Sequence, residues 1–152
     1  MGSPNVRTPG HWAPAMIEDA IIGKPNDCVY GSPSTAVSLI YVTDAARSID
    51  MLAQAPIENI KMMNYNVTGI SQVTTARELE DILKKRYPEF KVNFKEDSGI
   101  AEAARRVSIS MEECNDDYAR KEWGWKPLYG THDAIIDIFE KDVKTYPKRY
   151  GL

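Results

Sequence analysis

The chain has 152 residues, of which 43% are hydrophobic and 27% charged, with a formal net charge of −3 at pH 7. This composition is typical of a globular protein with a buried core, and the acidic balance argues against a nucleic-acid partner. The two cysteines are too few for a disulfide framework, so we expect free thiols in a reducing compartment. Because the sequence shows neither an apolar signal core nor a membrane-length apolar run, we expect a cytoplasmic protein without a membrane partner.

The first part of the chain predicts a helix followed by two strands. Pro14 suits the first turn of a helix. The helical pattern continues to Ile21, and Gly23 ends it. Cys28 to Tyr30 is a short strand candidate, and the β-branched and aromatic run from Val37 to Val42 predicts a second strand.

The next segments predict helix, strand and helix in turn. Asp44 is placed to cap the helix that follows it, and Pro56 ends that helix. Ile60 to Thr68 has strand composition. Thr75 and Glu78 then have the spacing of a capping box, in which each side chain accepts a hydrogen bond from the other residue's backbone N–H.

The last third predicts one more strand and several helices. Phe90 to Phe94 alternates apolar and polar residues, as a half-buried strand does. Ile100 to Val107 is a short helix candidate, and Ser110 and Glu113 have the spacing of a second capping box. A short helix then runs to about Glu122, and Thr131 is placed to cap the last helix, whose apolar stripe comprises Ile135, Ile136, Phe139 and Val143.

Strands that alternate with helices predict an α/β fold with some parallel pairing. The few strand candidates favour a small mixed sheet with flanking helices. Since the loops are short, we expect a single domain over residues 1–152.

The motifs that a dinucleotide-dependent enzyme needs are not evident in the chain. No G-x-G-x-x-G turn occurs to bring backbone N–H groups to a pyrophosphate. A short-chain reductase also needs a Y-x-x-x-K pair, and we expect none here: Tyr118 and Tyr146, for example, are followed four positions later by Glu122 and Tyr150. We therefore expect no turnover by this chain alone.

Three other features have a structural and a functional interpretation. His11 follows a Pro-Gly step and could face a ligand, although a surface-loop histidine is the more common case. Trp123-Gly124-Trp125 could form an aromatic platform, but two such rings more often pack a helix end onto the core. The acidic residues from Glu112 to Asp117 have the spacing of a helix start rather than of an acid/base pair. His11 and His132 lie far apart in sequence, so a metal site is not expected.

Four segments in order resemble the C-terminal half of extended short-chain dehydrogenases of the NAD-dependent epimerase/dehydratase superfamily. Within it the chain is most similar to short-chain-type L-threonine 3-dehydrogenases. The segments are Arg7-Thr8-Pro9-Gly10, Tyr41 to Arg47, Tyr65-Asn66-Val67-Thr68 and Ala119 to Trp125. The similarity runs from about Val6 to the C-terminus, so it implies the substrate-side part of a Rossmann-type enzyme.

The resemblance implies roles for a few residues only. Thr8, Pro9 and Gly10 correspond to a step that passes close to the nicotinamide of NAD, and His11 and Trp12 follow in the segment that lines the substrate pocket. That segment is shorter here than in threonine dehydrogenases and lacks their substrate-contacting threonine. The family's catalytic Ser/Thr, Tyr and Lys and its Gly-rich turn precede the part that matches.

The resemblance implies that the complete enzyme oxidises a hydroxyl of a small-molecule substrate by hydride transfer to NAD. A nucleotide-sugar epimerase portion and a non-catalytic remnant that binds a partner or small ligand are the alternatives. Because Val6 to Pro9 and Tyr65 to Thr68 would be strands of the larger parent sheet, their edges would be uncovered here. We therefore expect a homo-oligomer or a partner that covers these edges.

Overall fold

The computed structural model describes residues 11–28, 32–95, 99 and 114–152, and helices and strands are numbered in chain order within them. Contacts group the described residues into two compact units. The first unit comprises residues 11–28, 32–37, 74–95, 99 and 136–152, and the second comprises residues 38–73 and 114–135.

The first unit is built on helix α1, which spans Trp12–Ile21. This helix packs on strand β1 (Asn26–Cys28) and helix α3 (Ala76–Arg86). Strand β1 pairs in parallel with strand β4 (Val92–Phe94). The core between these elements is apolar because each helix turns one stripe inward, and its fully buried side chains include Met16, Leu79 and Leu83.

Two local signals fix the ends of the helices in this unit. Gly23 follows α1 with φ of 71°, a left-handed conformation that glycine adopts without steric cost. The capping box at Thr75 is confirmed: its hydroxyl accepts from the Glu78 N–H, and the Glu78 carboxylate accepts from the Thr75 N–H at 2.8 Å.

Strands β2 (Ala36–Leu39) and β3 (Ile70–Thr75) form a second two-stranded sheet. The prediction of a strand from Val37 to Val42 is therefore correct only in its first part. Tyr41 is the extended residue before helix α2, and Val42 is already helical. Local β propensity does not decide this boundary, since the Tyr41 carbonyl accepts from the Ala45 N–H at 3.0 Å and begins the helix there.

The second unit consists of helix α2 (Val42–Gln54), a 3-10 turn (Ile57–Asn59) and helix α4 (Asp117–Trp123) around an aromatic core. Ala119, Trp123 and Trp125 form the buried centre of this core. Partly buried side chains surround them: Ile40, Met51, Leu52, Ala55, Ile60, Tyr65 and Val67.

The predicted strand from Ile60 to Thr68 is wrong, because this segment has irregular backbone. Several of its backbone groups bond to side chains. The N–H groups of Lys61 and Met62 donate to the Tyr65 hydroxyl at 3.1 and 3.2 Å, and the Thr68 carbonyl accepts from Trp125 Nε1 at 3.2 Å.

Helix α5 spans His132–Thr145, and a 3-10 turn follows at Pro147–Tyr150. Thr131 caps α5 as predicted, since its hydroxyl accepts from the Ala134 N–H at 3.2 Å. Ile135, Ile136 and Val143 of the predicted stripe are buried.

The predicted α/β class with a small sheet and some parallel pairing is confirmed, with the sheet present as two strand pairs within the described ranges. The free thiols are confirmed as well, with Cys28 buried and Cys114 partly exposed. The possible helix at Ile100 to Val107 and the possible capping box at Ser110 and Glu113 lie outside the described residues.

Candidate functional site

The residues predicted to lie near cofactor and substrate fall at the start of α1. Thr8, Pro9 and Gly10 are outside the described residues. His11 is exposed and immediately precedes the helix, whereas Trp12 is its first residue and retains only 6% exposure. Trp12 thus contributes mainly to the core of the first unit, and a pocket-lining role for His11 and Trp12 stays a prediction.

The expectation that no tyrosine is followed by a lysine four positions later is wrong. Tyr87 and Lys91 have this spacing. A catalytic pair of this kind needs one helix face to bring the two side chains together. Here α3 ends at Arg86 and Pro88 follows within a turn, so Tyr87 and Lys91 do not share a helix.

The electrostatics of Tyr87 also oppose a role as proton carrier. A catalytic tyrosine needs a lowered pKa so that it can act near neutral pH. Burial, followed by the hydrogen bond that its hydroxyl donates to Glu140, raises the pKa of Tyr87. The same hydrogen bond, together with the charge of Arg86, lowers the pKa of Glu140. Arg86, Tyr87 and Glu140 therefore connect the end of α3 to α5, and we call these contacts the tie between the two helices.

Asp44 is predicted to cap its own helix, but its carboxylate binds a distant loop instead. Its fully buried carboxylate accepts from the backbone N–H of Leu128 at 2.9 Å and of Tyr129 at 2.8 Å. Arg47, one turn along α2, donates to Asp44 at 3.4 Å and to the Lys126 carbonyl. Asp44 and Arg47 therefore fix the course of the chain after Trp125.

The same loop passes close to the backbone at Gly69. A methyl group at this position would lie 2.9 Å from the Leu39 carbonyl oxygen and 3.3 Å from that of Tyr129. Glycine has no side chain, so Gly69 permits this close approach.

The Trp123-Gly124-Trp125 step packs the core, as expected. Trp123 and Trp125 retain 9% and 2% exposure, and their ring centroids lie 6.0 Å apart. Gly124 ends α4 in the left-handed conformation, with φ of 73°. Buried rings separated by a helix-ending glycine leave no open aromatic platform at this step.

A groove of about 470 Å³, groove A, opens in the second unit. Ile49, Ile57 and Met63 line it and are strongly exposed, at 72%, 82% and 105%. The remaining lining is mostly apolar and comprises Ser48, Leu52, Ile60, Met62, Asn64, Tyr65, Val67 and Trp123. Large apolar side chains gathered on one exposed surface are typical of a surface that another element covers.

One rim of groove A is held by Glu122 of α4. Its carboxylate accepts from the Tyr65 hydroxyl and from the Lys61 N–H at 3.0 Å. The hydrogen bond from Tyr65, followed by the one from Lys61, lowers the pKa of Glu122. Tyr65 also meets the Trp123 ring edge to face, with centroids 5.7 Å apart. The loop that carries Met62 and Met63 is therefore anchored at both its start and its end.

The described ranges contain no cluster of three or more His, Cys, Asp or Glu side chains placed to hold a metal ion. No helix within them is both long and apolar enough to cross a bilayer.

Sequence comparison finds relatives that this chain matches over part of their length. The mitochondrial L-threonine 3-dehydrogenase of Sus scrofa is 29% identical over 127 residues, 84% of this chain and 32% of the relative. The one of Bos taurus is 31% identical over 106 residues, 70% of this chain and 27% of the relative. The chain thus spans about a third of the length of these curated relatives. No family model matches it.

Comparison of structures finds the same kind of enzyme. A partial consensus L-threonine 3-dehydrogenase superposes with a TM-score of 0.78 at 20% identity, over 95% of this chain and 45% of that one. The GalE-like L-threonine dehydrogenase of Cupriavidus necator gives 0.74 at 20% identity, over 90% and 42%. The enzyme of Trypanosoma brucei gives 0.71 at 19% identity, over 99% and 45%. Each match covers nearly all of this chain and less than half of the relative.

Proposed function

We propose that this chain, which belongs with the L-threonine 3-dehydrogenases over part of their length, supplies the substrate-side portion of an NAD-dependent dehydrogenase. The resemblance predicted from four sequence segments is confirmed by the matches to these enzymes. The observation that carries the proposal is the coverage: the fold match spans 90% or more of this chain but only 42% of the Cupriavidus necator enzyme. In the complete enzyme, a hydroxyl of a small substrate would be oxidised by hydride transfer to NAD.

We expect the described residues to provide no cradle for the pyrophosphate of NAD. Their glycines with positive φ are Gly23, Gly124 and Gly151, and each lies after a helix rather than before one. A pyrophosphate is held at the N-terminal end of a helix, where free N–H groups point outward. The proposed contribution of this chain to NAD is therefore limited to the nicotinamide side, through Thr8, Pro9 and Gly10, with His11 and Trp12 toward the substrate.

We infer that residues 1–152 form one functional portion that needs a covering partner. Ile49, Ile57 and Met63 on groove A give such a partner an apolar surface to bury. We propose that the cofactor-binding half of the enzyme, or a second copy of the chain, covers this surface. The proposed location is the cytoplasm, although the Sus scrofa and Bos taurus relatives carry "mitochondrial" in their names.

One specific observation bears on the epimerase alternative. Sugar-nucleotide enzymes need cationic side chains for a diphosphate, and no Arg or Lys occurs between Val29 and Val42. This favours a small substrate such as an amino acid over a nucleotide sugar.

Calorimetric titration of the full chain with NAD tests the proposal that the chain has no binding site for the pyrophosphate. Because the sequence contains no Gly-rich turn that could hold the pyrophosphate, we expect no binding tighter than about millimolar. A dissociation constant in the micromolar range would overturn this part of the proposal. Such a value would mean that the chain binds the dinucleotide without a partner.

A further inference from the structure

A second groove, groove B, lies in the first unit and has a volume of about 600 Å³. One wall is the turn after α1, which contributes Ala20, Ile21 and residues 23–25. The other wall is the turn after α3, from Arg86 to Lys91. The groove shares no lining residue with groove A or with the predicted pocket residues 8–12.

The first wall is fixed by short-range bonds. The Lys24 N–H donates to the Asp19 carbonyl at 2.8 Å, and the Gly23 N–H donates to the Ala20 carbonyl at 3.3 Å. Asn26 closes the turn from the other end, since its buried side-chain amide donates to the Asp19 carboxylate at 2.7 Å.

The second wall is fixed in the same way and is joined to the first. The Phe90 N–H donates to the Tyr87 carbonyl at 3.0 Å and closes the turn at Pro88. The Asn26 N–H donates to the Lys91 carbonyl at 2.9 Å and ties the two walls together. A ligand would therefore meet a groove already formed, which lowers the entropic cost of binding.

The inner surface of groove B is apolar. Ala20 and Phe90 retain only 2% and 5% exposure, so they form a closed floor. Ile21 and the ring of Tyr87 are partly exposed beside them. The Tyr87 hydroxyl is already bonded to Glu140, so this residue offers a ligand its ring rather than its polar group.

The rim of the groove is cationic. Arg86 is already paired, with Asp137 at 2.7 Å and Glu140 at 2.9 Å. Lys24 and Lys91 are exposed, and within the described part of the chain no carboxylate lies at ion-pair distance from either ammonium group. Glu89 is the carboxylate in the lining. Two ammonium groups against one carboxylate leave an excess of positive charge, in a protein whose net charge is −3.

We propose that groove B binds a small amphipathic carboxylate. Its apolar body would rest on Ala20 and Phe90, and its carboxylate would pair with the ammonium groups of Lys24 and Lys91. The volume falls within the range of small-molecule sites, and an apolar floor with a few polar groups at its edge is their usual composition. This site is independent of the proposed dehydrogenase function.

The test uses naphthoate as probe and naphthalenemethanol as its uncharged analogue, titrated into the full chain and followed by amide chemical shifts. We expect naphthoate to bind with a dissociation constant on the order of a millimolar or below. The shifts should map to residues 20–25 and 86–91, and the uncharged analogue should bind more weakly.

The double variant Lys24→Met/Lys91→Met removes both ammonium groups and keeps the stems of the side chains. It should weaken naphthoate binding by about fivefold, as the loss of exposed ion pairs does. The matched control, Lys121→Met/Lys126→Met, changes the net charge equally in the second unit and should bind as the unchanged chain does. Four outcomes would each overturn the proposal. The uncharged analogue could bind as tightly as naphthoate, or both double variants could weaken naphthoate binding equally. The shifts could map to other residues, or naphthoate could fail to bind at millimolar concentration.

Discussion

Asp44 shows what a single residue's sequence context predicts and what it does not. Its position at the start of α2 indicates a cap, because a carboxylate there can accept from the free N–H groups of the first turn. In the structure, the Asp44 carboxylate instead accepts hydrogen bonds from the backbone N–H groups of Leu128 and Tyr129, more than 80 residues away. A contact at that separation has no local signal. Tyr87 and Lys91 have a local signal that misleads. Their spacing fits the Y-x-x-x-K motif, but α3 ends at Arg86 and Pro88 follows, so the two residues do not share a helix.

Replacement of Asp44 should destabilise the chain strongly. Asp44→Ala leaves the N–H groups of Leu128 and Tyr129 without their acceptor, at a cost of roughly 2–4 kcal/mol in the free energy of unfolding. Asp44→Asn keeps one acceptor oxygen and should cost less. Urea unfolding followed by circular dichroism measures both.

The matched control for Asp44 is Asp50→Asn, an exposed position on the same helix. It should change the free energy of unfolding by less than about 0.5 kcal/mol. An Asp44→Ala variant as stable as this control would contradict the assigned role of Asp44.

At the scale of elements, the sequence predicts best what local chemistry decides. The capping box at Thr75, the cap at Thr131 and the end of α1 before Gly23 depend on residues within a few positions of each other, and all three are confirmed. The strand predicted from Ile60 to Thr68 fails because its backbone groups bond to Tyr65, Glu122 and Trp125. Composition does not reveal those partners.

The tie between α3 and α5 predicts a pH dependence. The pKa of Glu140 lies below its ordinary value of 4.5 in the folded chain. The folded state therefore binds fewer protons than the unfolded state, and the stability that Glu140 contributes is present above that value and lost as the pH falls below it. Glu140→Gln should be less stable than the unchanged chain near neutral pH, and the difference should shrink in acid.

Urea unfolding at several pH values measures this difference. Asp81→Asn, an exposed carboxylate variant on α3, is the control and should show little difference at any pH. A stability difference for Glu140→Gln that stays constant from neutral pH into acid would contradict the assignment.

At the scale of the whole molecule, the alternation of strand and helix patterns is enough to predict the α/β class, and four short segments in order are enough to predict the kind of enzyme that the chain resembles. They do not predict that the contacts of the chain group into two units, or that groove A exposes Ile49, Ile57 and Met63. Both features depend on which parts of the chain meet in space. Exposed apolar side chains of this size are typical of a surface that another element covers, as we propose for groove A.

The rate of NADH formation from L-threonine and NAD tests this account most directly. It is measured for the chain alone, for the cofactor-binding half of the Cupriavidus necator relative alone, and for that half fused ahead of the chain. We expect NADH from the fused protein only, because we propose that the cofactor-binding half supplies the dinucleotide site and the catalytic tyrosine and that this chain supplies the pocket wall. Steady NADH formation by the isolated chain, lost on Tyr87→Phe, would contradict the account.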